Sequence, residues 1–469
     1  MQTRKDLYQA HRLMQQRLGM ALLQAEPDVA ESPMRRHNVA TFSGVLIGVL
    51  VAAAFGIWGL LKPGGATNLT EAGQVLVEEE TGAKYVYSQE MGKMLPVANY
   101  ASARLLLDAG EVTTRNVSAA SLDDYARGPL VGIVGAPDSL PAKDMLVKGP
   151  WSVCVVEAPN AAGTWVPYVS LVGGSDVGGT PVGDGALVVT DGQQPWVIWN
   201  DQRMKVDATG VRALNAQPRA VPSSWINAIP PGPDLIAPEV PERGKRVRGP
   251  DGRAAAIGQI FSVQEMAGAP ARSYVLLRDG LASINTTQTR LLLEDSRSKA
   301  AYGNARVVPK PIDAATANAR LSKRNLAVPG MPTSLPKAIT TSPSAPLCSV
   351  YADTQKGSTR AKLTVGGTMR IQVPAVRGDQ EHFDQVLMPP GRAAMAGLLP
   401  GDGQLGSVHT YYLISDQGKQ HELQSADLLG KLGYDAEDVA PVPGNLIHLI
   451  PVGPKLDPAA ARQPVTTGG

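Results

Sequence analysis

The residues best suited to acid–base or metal chemistry are the six histidines, His11, His37, His382, His409, His421 and His448, and their spacing supports neither. No two stand at i, i+4, and no HExxH places a pair on one helical face beside a glutamate. A nucleophilic serine on a strand-to-helix elbow requires GxSxG. The nearest approach, GGSDVG from Gly173 to Gly178, lacks the second glycine at the right offset and reads as a loop. A phosphate-cradling loop requires GxxxxGK[ST]. Neither Gly92-Lys93-Met94 nor Gly418-Lys419-Gln420 continues to Ser or Thr, and both read as hairpin turns. The adjacent Asp123 and Asp124 read as solvated loop carboxylates. The sequence therefore carries no catalytic, cofactor-binding or metal-binding constellation, which counts against an envelope hydrolase.

The two cysteines, Cys154 and Cys348, sit in strand-like runs, WSVCVV from Trp151 and LCSVY from Leu347. With no CxxC and too few partners for zinc, the alternatives are a disulfide in an oxidising compartment or two free buried thiols. The disulfide is the reading taken. Closing a loop of that length would stabilise the fold by roughly 5 kcal/mol if chain entropy dominates.

The elements that position these residues follow from composition. Gly (49) and Pro (38) are abundant and aromatics make up 5% of the 469 residues, which favours turn-rich β structure over long bundles. Lys and Arg number 44 against 42 Asp and Glu, a net charge of +2 that argues against a nucleic-acid binder. The apolar residues are unevenly spread. From Val39 to Leu61 there is no charge, and as a helix this run would be about 34 Å long, enough for a hydrocarbon core of ~30 Å. It is too long, and too far from the first residue, for a signal peptide. Arg4, Lys5, Arg12, Arg17, Arg35 and Arg36 precede it, whereas Lys62 and then Glu78, Glu79 and Glu80 follow, so the amino terminus is expected in the cytoplasm. Gly44, Gly48, Ala52 and Gly56 recur every four residues, a small-residue stripe that permits close packing against another membrane helix.

Residues 3–25 place Leu7, Ala10, Met14, Leu18 and Leu22 at helical spacing behind a possible Thr3 cap, predicting an amphipathic helix. A segment of 38 residues cannot bury such a face by itself. Glu26, Asp28 and Glu31 disfavour an anionic membrane surface, so a cytosolic protein partner is expected.

Beyond the span a degenerate unit recurs four times, beginning near Lys84, Pro195, Ser273 and Thr410. Each copy reads as an aromatic-rich strand, a turn, a second strand and a short helix opened by a capping Ser or Thr. Three copies close on a shared phrase, LVGIVGAPDSLP from Leu130, WINAIPPGPDLI from Trp225 and LIHLIPVGPKLD from Leu446, expected as a short apolar strand ending in a Gly/Pro turn; the third copy has only VVPKPID at Val307. The runs SVCVVEA, WVPYVSLV, SVYAD, AKLTVGG and MRIQVP between the copies are expected to pair into one central β domain.

The expected fold is thus a membrane-anchored α+β protein, one transmembrane helix plus a β-rich extracytoplasmic region of four degenerate repeats around a disulfide-pinned central β domain. The boundaries are 1–38 for the cytoplasmic helix segment, 39–61 for the span, 62–145 for repeat one, 146–186 for the first part of the central domain and 187–240 for repeat two. Repeat three spans 241–325, a Pro-rich exposed linker 326–343, the second part of the central domain 344–398, repeat four 399–456, and a disordered tail 457–469.

Taken together, RKDLYQAHRLMQQRL, FGIWGLLKPG, SARLLL, the IPPGPDL-like turns, MPTSLPKAI from Met331 and the widely separated Cys154 and Cys348 resemble EccB, the single-pass membrane component of type VII (ESX) secretion systems. The resemblance covers nearly the whole chain. It implies a structural subunit that anchors and scaffolds a secretion complex in the inner membrane. The implied partners are the EccC motor ATPase, EccD, EccE, the mycosin protease and other EccB copies. The ATPase label sometimes attached to the family has no phosphate-binding motif to rest on here. The competing expectation is an independent membrane-anchored cell-wall-binding protein.

Overall fold

The structure, a computed structural model, describes residues 3–25, 33–61, 66–107, 112–263, 272–367, 371–374, 379 and 381–465. Its contacts divide the chain into a small unit, residues 1–69 with 78–80 and 116–125, and a large unit holding the rest.

The small unit is led by two helices, α1 (Arg4–Gln24) and α2 (Pro33–Leu61). Helix α1 starts where the Thr3 N–H donates to Asp6 Oδ2 at 3.0 Å and stops at Ala25, whose φ of 58° ends the helical path. Helix α2 begins on a proline, which lacks the N–H a helix start would leave unbonded. Over Arg35–Gly59 its mean hydropathy is 2.2 and none of it is buried in the protein.

The first sheet has the order β3-β2-β1-β4, from β1 (Gln74–Glu78), β2 (Lys84–Ser88), β3 (Lys93–Val97) and β4 (Thr113–Val117). Next come β5 (Trp151–Pro159), β6 (Trp165–Gly173) and β7 (Thr180–Pro181). A second sheet, β10-β9-β8-β11, follows from β8 (Ala186–Thr190), β9 (Pro195–Trp199), β10 (Gln202–Lys205) and β11 (Arg219–Ala220). After a two-stranded ribbon, β12 (Arg246–Arg248) and β13 (Ala254–Ala256), a third sheet has the order β16-β15-β14-β17. Its strands are β14 (Ile260–Val263), β15 (Arg272–Leu276), β16 (Leu281–Ile284) and β17 (Lys310–Pro311). Then come β18 (Ala338–Ile339), β19 (Leu347–Tyr351), β20 (Lys362–Val365) and β21 (Gln385–Leu387). The last sheet, β24-β23-β22-β25, is built from β22 (Ala394–Leu399), β23 (Tyr411–Ile414), β24 (Gln420–Glu422) and β25 (Ala440–Pro443).

In the second, third and fourth of these sheets an antiparallel meander is completed by a strand that returns parallel to the meander's first strand. A short helix follows the meander each time, at Ala208–Leu214, Thr286–Glu294 and Leu428–Leu432, as Tyr100–Leu106 does in the first. The first three of the four helices, in chain order, are capped by Asn99, Asp207 and Asn285, whose side chains accept from Ser102, Gly210 and Gln288 N–H groups, and not by the Ser or Thr expected from sequence. An Asn or Asp oxygen reaches the free amides of the first turn from one to three positions before the Ser or Thr in these segments.

The remaining strands form a six-stranded sheet, β21-β6-β5-β19-β20-β7, which pairs segments separated by almost two hundred residues. Alternation decides its faces. Trp151, Val153, Val155, Val169, Leu171 and Leu347 point into the largest hydrophobic cluster, whereas Cys154, Val172 and Cys348 point to the opposite side and are also buried. Burial on both faces explains why SVCVV is a continuous apolar run.

Four expectations from sequence are corrected here. The phrases at Trp225 and Leu446 form helices, Ser223–Asn227 and Gly444–Ile447, because their buried residues Trp225, Ile226 and Ile229, and Leu446, Ile447 and Ile450, follow helical spacing after Pro222 and Pro443. The Leu130 phrase instead bridges to Val97 at Val131 and then runs through bends and a turn. The linker 326–343 is not simply exposed: Met331 is buried, Leu326 and Leu335 pack beside it, and β18 pairs with β8. Of the 457–469 tail, Pro458–Ala461 is a helix capped by Asp457, Ala461 is fully buried, and the Val465 N–H donates to the Leu130 carbonyl, while 466–469 lie outside the described residues. Finally, the described part of MRIQVP, Ile371–Pro374, forms no strand.

Candidate functional site

Two regions carry the residues singled out from sequence. On α1, Leu7, Ala10, Met14, Leu18 and Leu22 lie along one face, and all are exposed, Leu22 to 82%. Tyr8 and Leu13 flank that face and are exposed too. Helices in proteins draw most of their stability from packing an apolar face, and each of these larger side chains would gain about 1.5–3 kcal/mol from full burial. The apolar side of α1 is therefore left open in the described residues. On α2, a side chain added at Gly44, Gly48 or Gly56 would meet nothing within 4 Å, and Ala52 is likewise exposed, so the small-residue stripe is open along its length.

The second region is the disulfide. Cys348 stands directly opposite Cys154 in the β19–β5 register, with Cα atoms 4.1 Å apart, and the two are bonded. Both cysteines are at most 1% exposed. The bond joins the two halves of the six-stranded sheet across 194 residues.

Below the opposite face of that sheet lies a polar knot that sequence reading missed. The Tyr351 hydroxyl donates to the Ala228 carbonyl, and Asn445 Nδ2 donates to that same carbonyl at 2.6 Å and to the Tyr351 oxygen at 3.2 Å. Burial pushes the Tyr351 phenol well above its usual range, so it stays a neutral donor. The Trp225 indole N–H donates to the Val153 carbonyl at 3.2 Å, tying the Ser223–Asn227 helix to β5. No local signal could reveal this knot, because its members are far apart in the chain.

The histidines are not brought together. His11 and His37 lie on α1 and α2, His382 bonds Asp379 at 2.9 Å, and His409 and His448 are exposed. His421 is fully buried. Its Nδ1 lies 3.0 Å from the Pro454 carbonyl, Nε2 finds no partner among the described residues, and a Cβ at Gly453 would sit 2.3 Å from its ring. Burial lowers its pKa, so it is a neutral packing residue. Among the described residues no group of three or more His, Cys, Asp or Glu could hold a metal. Gly92 and Gly418, with φ of 61° and 75°, sit in the β2–β3 and β23–β24 turns and not in a phosphate loop.

One exposed apolar helix of membrane-spanning length, an exposed helix before it and a large disulfide-bonded β-rich region define a single-pass membrane protein with a small amino-terminal segment and a large extracytoplasmic body. The family model for the type VII secretion system ESX-1 transport TM domain B, EccB, matches residues 1–467, and the chain belongs to that family. It is 28% identical over 299 residues to the ESX-3 secretion system ATPase EccB3 of Mycobacterium tuberculosis, a match covering 61% of this chain and 52% of the relative. The chain thus spans about half the length of that relative. With the Mycolicibacterium smegmatis ESX-3 secretion system ATPase EccB3 it shares 24% identity over 498 aligned positions, covering 97% of this chain and 90% of the relative. Its fold resembles a chain of an intact ESX-5 inner membrane complex, with a TM-score of 0.61, 23% identity and coverage of 100% and 96%. It also resembles a chain of the EccB3 dimer from an ESX-3 core complex, with a TM-score of 0.60, 22% identity and coverage of 82% and 99%.

Proposed function

We propose that this chain is a structural subunit of a type VII secretion membrane complex, anchoring and scaffolding the translocon and its periplasmic-side assembly during protein export. The observation that carries this reading is α1: a helix with five apolar positions on one exposed face, set before an apolar span, in a chain matched by the EccB model over 1–467. A protein that needed only an anchor would gain nothing from that face.

In this reading α2 holds the subunit in the inner membrane with the amino terminus in the cytoplasm. The face Leu7, Ala10, Met14, Leu18 and Leu22 docks on a cytosolic part of the complex, and Gly44, Gly48, Ala52 and Gly56 pack against a neighbouring membrane helix. The body consists of four copies of one repeat, 62–145, 187–240, 241–325 and 399–456, around a central β domain formed by 146–186 and 344–398. The shared strand order of the four sheets supports four copies, with the first strand of the fourth sheet, β22, starting ahead of the 399 boundary. The partners are the EccC ATPase, EccD, EccE, the mycosin protease and further EccB copies. No reaction step is assigned to the chain.

Deleting residues 1–25 tests the reading. The truncated protein is expected to insert in the membrane and form its disulfide, yet to be absent from any large complex on native gels. If it assembles as the full chain does, the scaffold role fails and the membrane-anchored wall-binding alternative takes its place.

A further inference from the structure

The near-neutral total charge conceals a local imbalance. Residues 241–325 hold fifteen Lys and Arg against seven Asp and Glu, a net +8, although the whole chain carries only +2. Eleven of the fifteen are arginine. Arginine presents a planar fork of donors that matches phosphate oxygens two at a time, which lysine does not.

The fold gathers much of this charge around the β12–β13 ribbon. Arg246 and Arg248 are two residues apart on β12, so they stand on one face, about 7 Å apart along the strand. Both are exposed, while Val247 between them turns into the hydrophobic interior. Their cross-strand partners are Ala256 and Ala254, which offer no carboxylate. At the ribbon's base, Glu242 accepts from Lys245 at 2.9 Å and from Arg278 NH1 at 3.0 Å, and Asp295 accepts from Arg243 at 2.9 Å and Arg297 at 3.0 Å. Two carboxylates thus hold four cations in fixed positions. Hydrogen bonds and the charges of the two arginines outweigh burial at Asp295 and hold its carboxyl below the usual range, so it stays ionised. Gly244, with φ of 89°, lies so close to Ala300 that a Cβ would meet its carbonyl oxygen at 2.8 Å. That approach brings exposed Lys299 to the same place. Arg253 at the ribbon turn lies 3.9 Å from Asp251.

We propose that the β12–β13 ribbon, with Arg246 and Arg248 at its centre and Arg278, Arg297 and Lys299 at its base, is a docking surface for a phosphate-bearing anionic polymer of the cell envelope. Charge complementarity selects a polyanion, the arginine forks suit oxyanions such as phosphate that accept two bonds at once, and the strand spacing suits an anionic group repeated every ~7 Å along an extended chain. The inference rests on the extracytoplasmic placement of the body. Within the scaffold reading, it gives the subunit a grip on the envelope beyond the membrane.

The test uses the full-length protein in neutral-lipid nanodiscs, titrated with long-chain inorganic polyphosphate over a range of salt concentrations. The chain is expected to bind, with R246A/R248A weakening affinity by about tenfold or more and flattening the salt dependence by an exponent of about 1.4–1.8. The conservative pair R246K/R248K is expected to keep the salt slope and lose part of the affinity, which a purely electrostatic surface would not do. Unchanged disulfide content and melting temperature show that each variant is folded. Failure to bind polyphosphate, or binding indifferent to R246A/R248A, overturns the proposal. So does Arg246/Arg248-dependent binding to phosphatidylglycerol vesicles without polyphosphate binding, which would assign the ribbon to a lipid surface. Native-gel sizing of the same variants separates the two readings. Intact complexes without polyphosphate binding refute the docking surface alone, whereas a complex that survives deletion of residues 1–25 refutes the scaffold alone.

Discussion

Leu18 on α1 and Leu171 on β6 are the same residue under opposite conditions, one 58% exposed and the other fully buried. The contrast holds for the regions around them. In the six-stranded sheet, apolar side chains face both sides, and each side is closed by protein, with Trp151, Trp225 and Tyr351 on one and the disulfide on the other. On α1 and α2 nearly all the described apolar side chains are exposed, Met20 being half-buried. The sheet completes its own burial and so specifies a stable body. The helices leave theirs to a surrounding that is either lipid or another chain, so a change in the sheet should register as lost stability, and a change on α1 as lost association.

The largest stability effect is expected from Trp225→Ala, which empties a fully buried site and removes the indole bond to the Val153 carbonyl; denaturant unfolding should show a loss of about 3–5 kcal/mol. Cys154→Ser with Cys348→Ser should follow, at about 2–5 kcal/mol, with reductant reproducing the loss in the parent chain. Tyr351→Phe removes the bond its hydroxyl donates to the Ala228 carbonyl and the one it accepts from Asn445, while Asn445 still serves that carbonyl, so about 1–2 kcal/mol is expected by the same assay.

His421 gives a pH dependence of defined sign. Its folded pKa lies below the ordinary 6.5 because it is buried, so below that pH the unfolded chain binds the proton more readily. Stability contributed by the neutral ring is present above about 6.5 and is lost as pH falls below it. Denaturant midpoints should decline from pH 7.5 to pH 5.5, and His421→Gln should flatten that decline; an unchanged slope would contradict the buried neutral assignment. At the bottom of the scale, Met14→Ala with Leu18→Ala should leave the unfolding midpoint where it is and reduce recovery in a large complex. A stability loss from this pair would erase the contrast between the two regions.

Much of this organisation is legible in the residues. The uncharged run to Leu61 and the helical spacing of Leu7, Met14 and Leu18 reveal two helices, and the aromatic-plus-turn pattern at Tyr85, Trp196, Tyr274 and Tyr411 marks hairpins, because period and turn chemistry are local. The segments at Trp225 and Leu446 look like short strands because four or five apolar residues do not distinguish the two periods; only the spacing of Trp225, Ile226 and Ile229 gives the helix away. The tail looks disordered because its composition is small and polar, yet Ala461 finds a cavity that only the assembled fold creates. Tyr351, Asn445 and Ala228 meet across separations of 94 to 217 residues, and nothing local encodes such a meeting. The basic ribbon was hidden differently: its charges are plain in the sequence, but a total of +2 averages them against acidic regions elsewhere.

The central claim, that α1 and α2 tie a self-sufficient β body into a secretion complex, is tested most directly by purifying the tagged full-length protein from its native membranes in mild detergent, with native-gel sizing and mass spectrometry of what accompanies it. Recovery in a megadalton-scale assembly that contains a multi-domain ATPase is the expected result. Recovery as a lone monomer or dimer, under conditions that keep other membrane complexes intact, would contradict it.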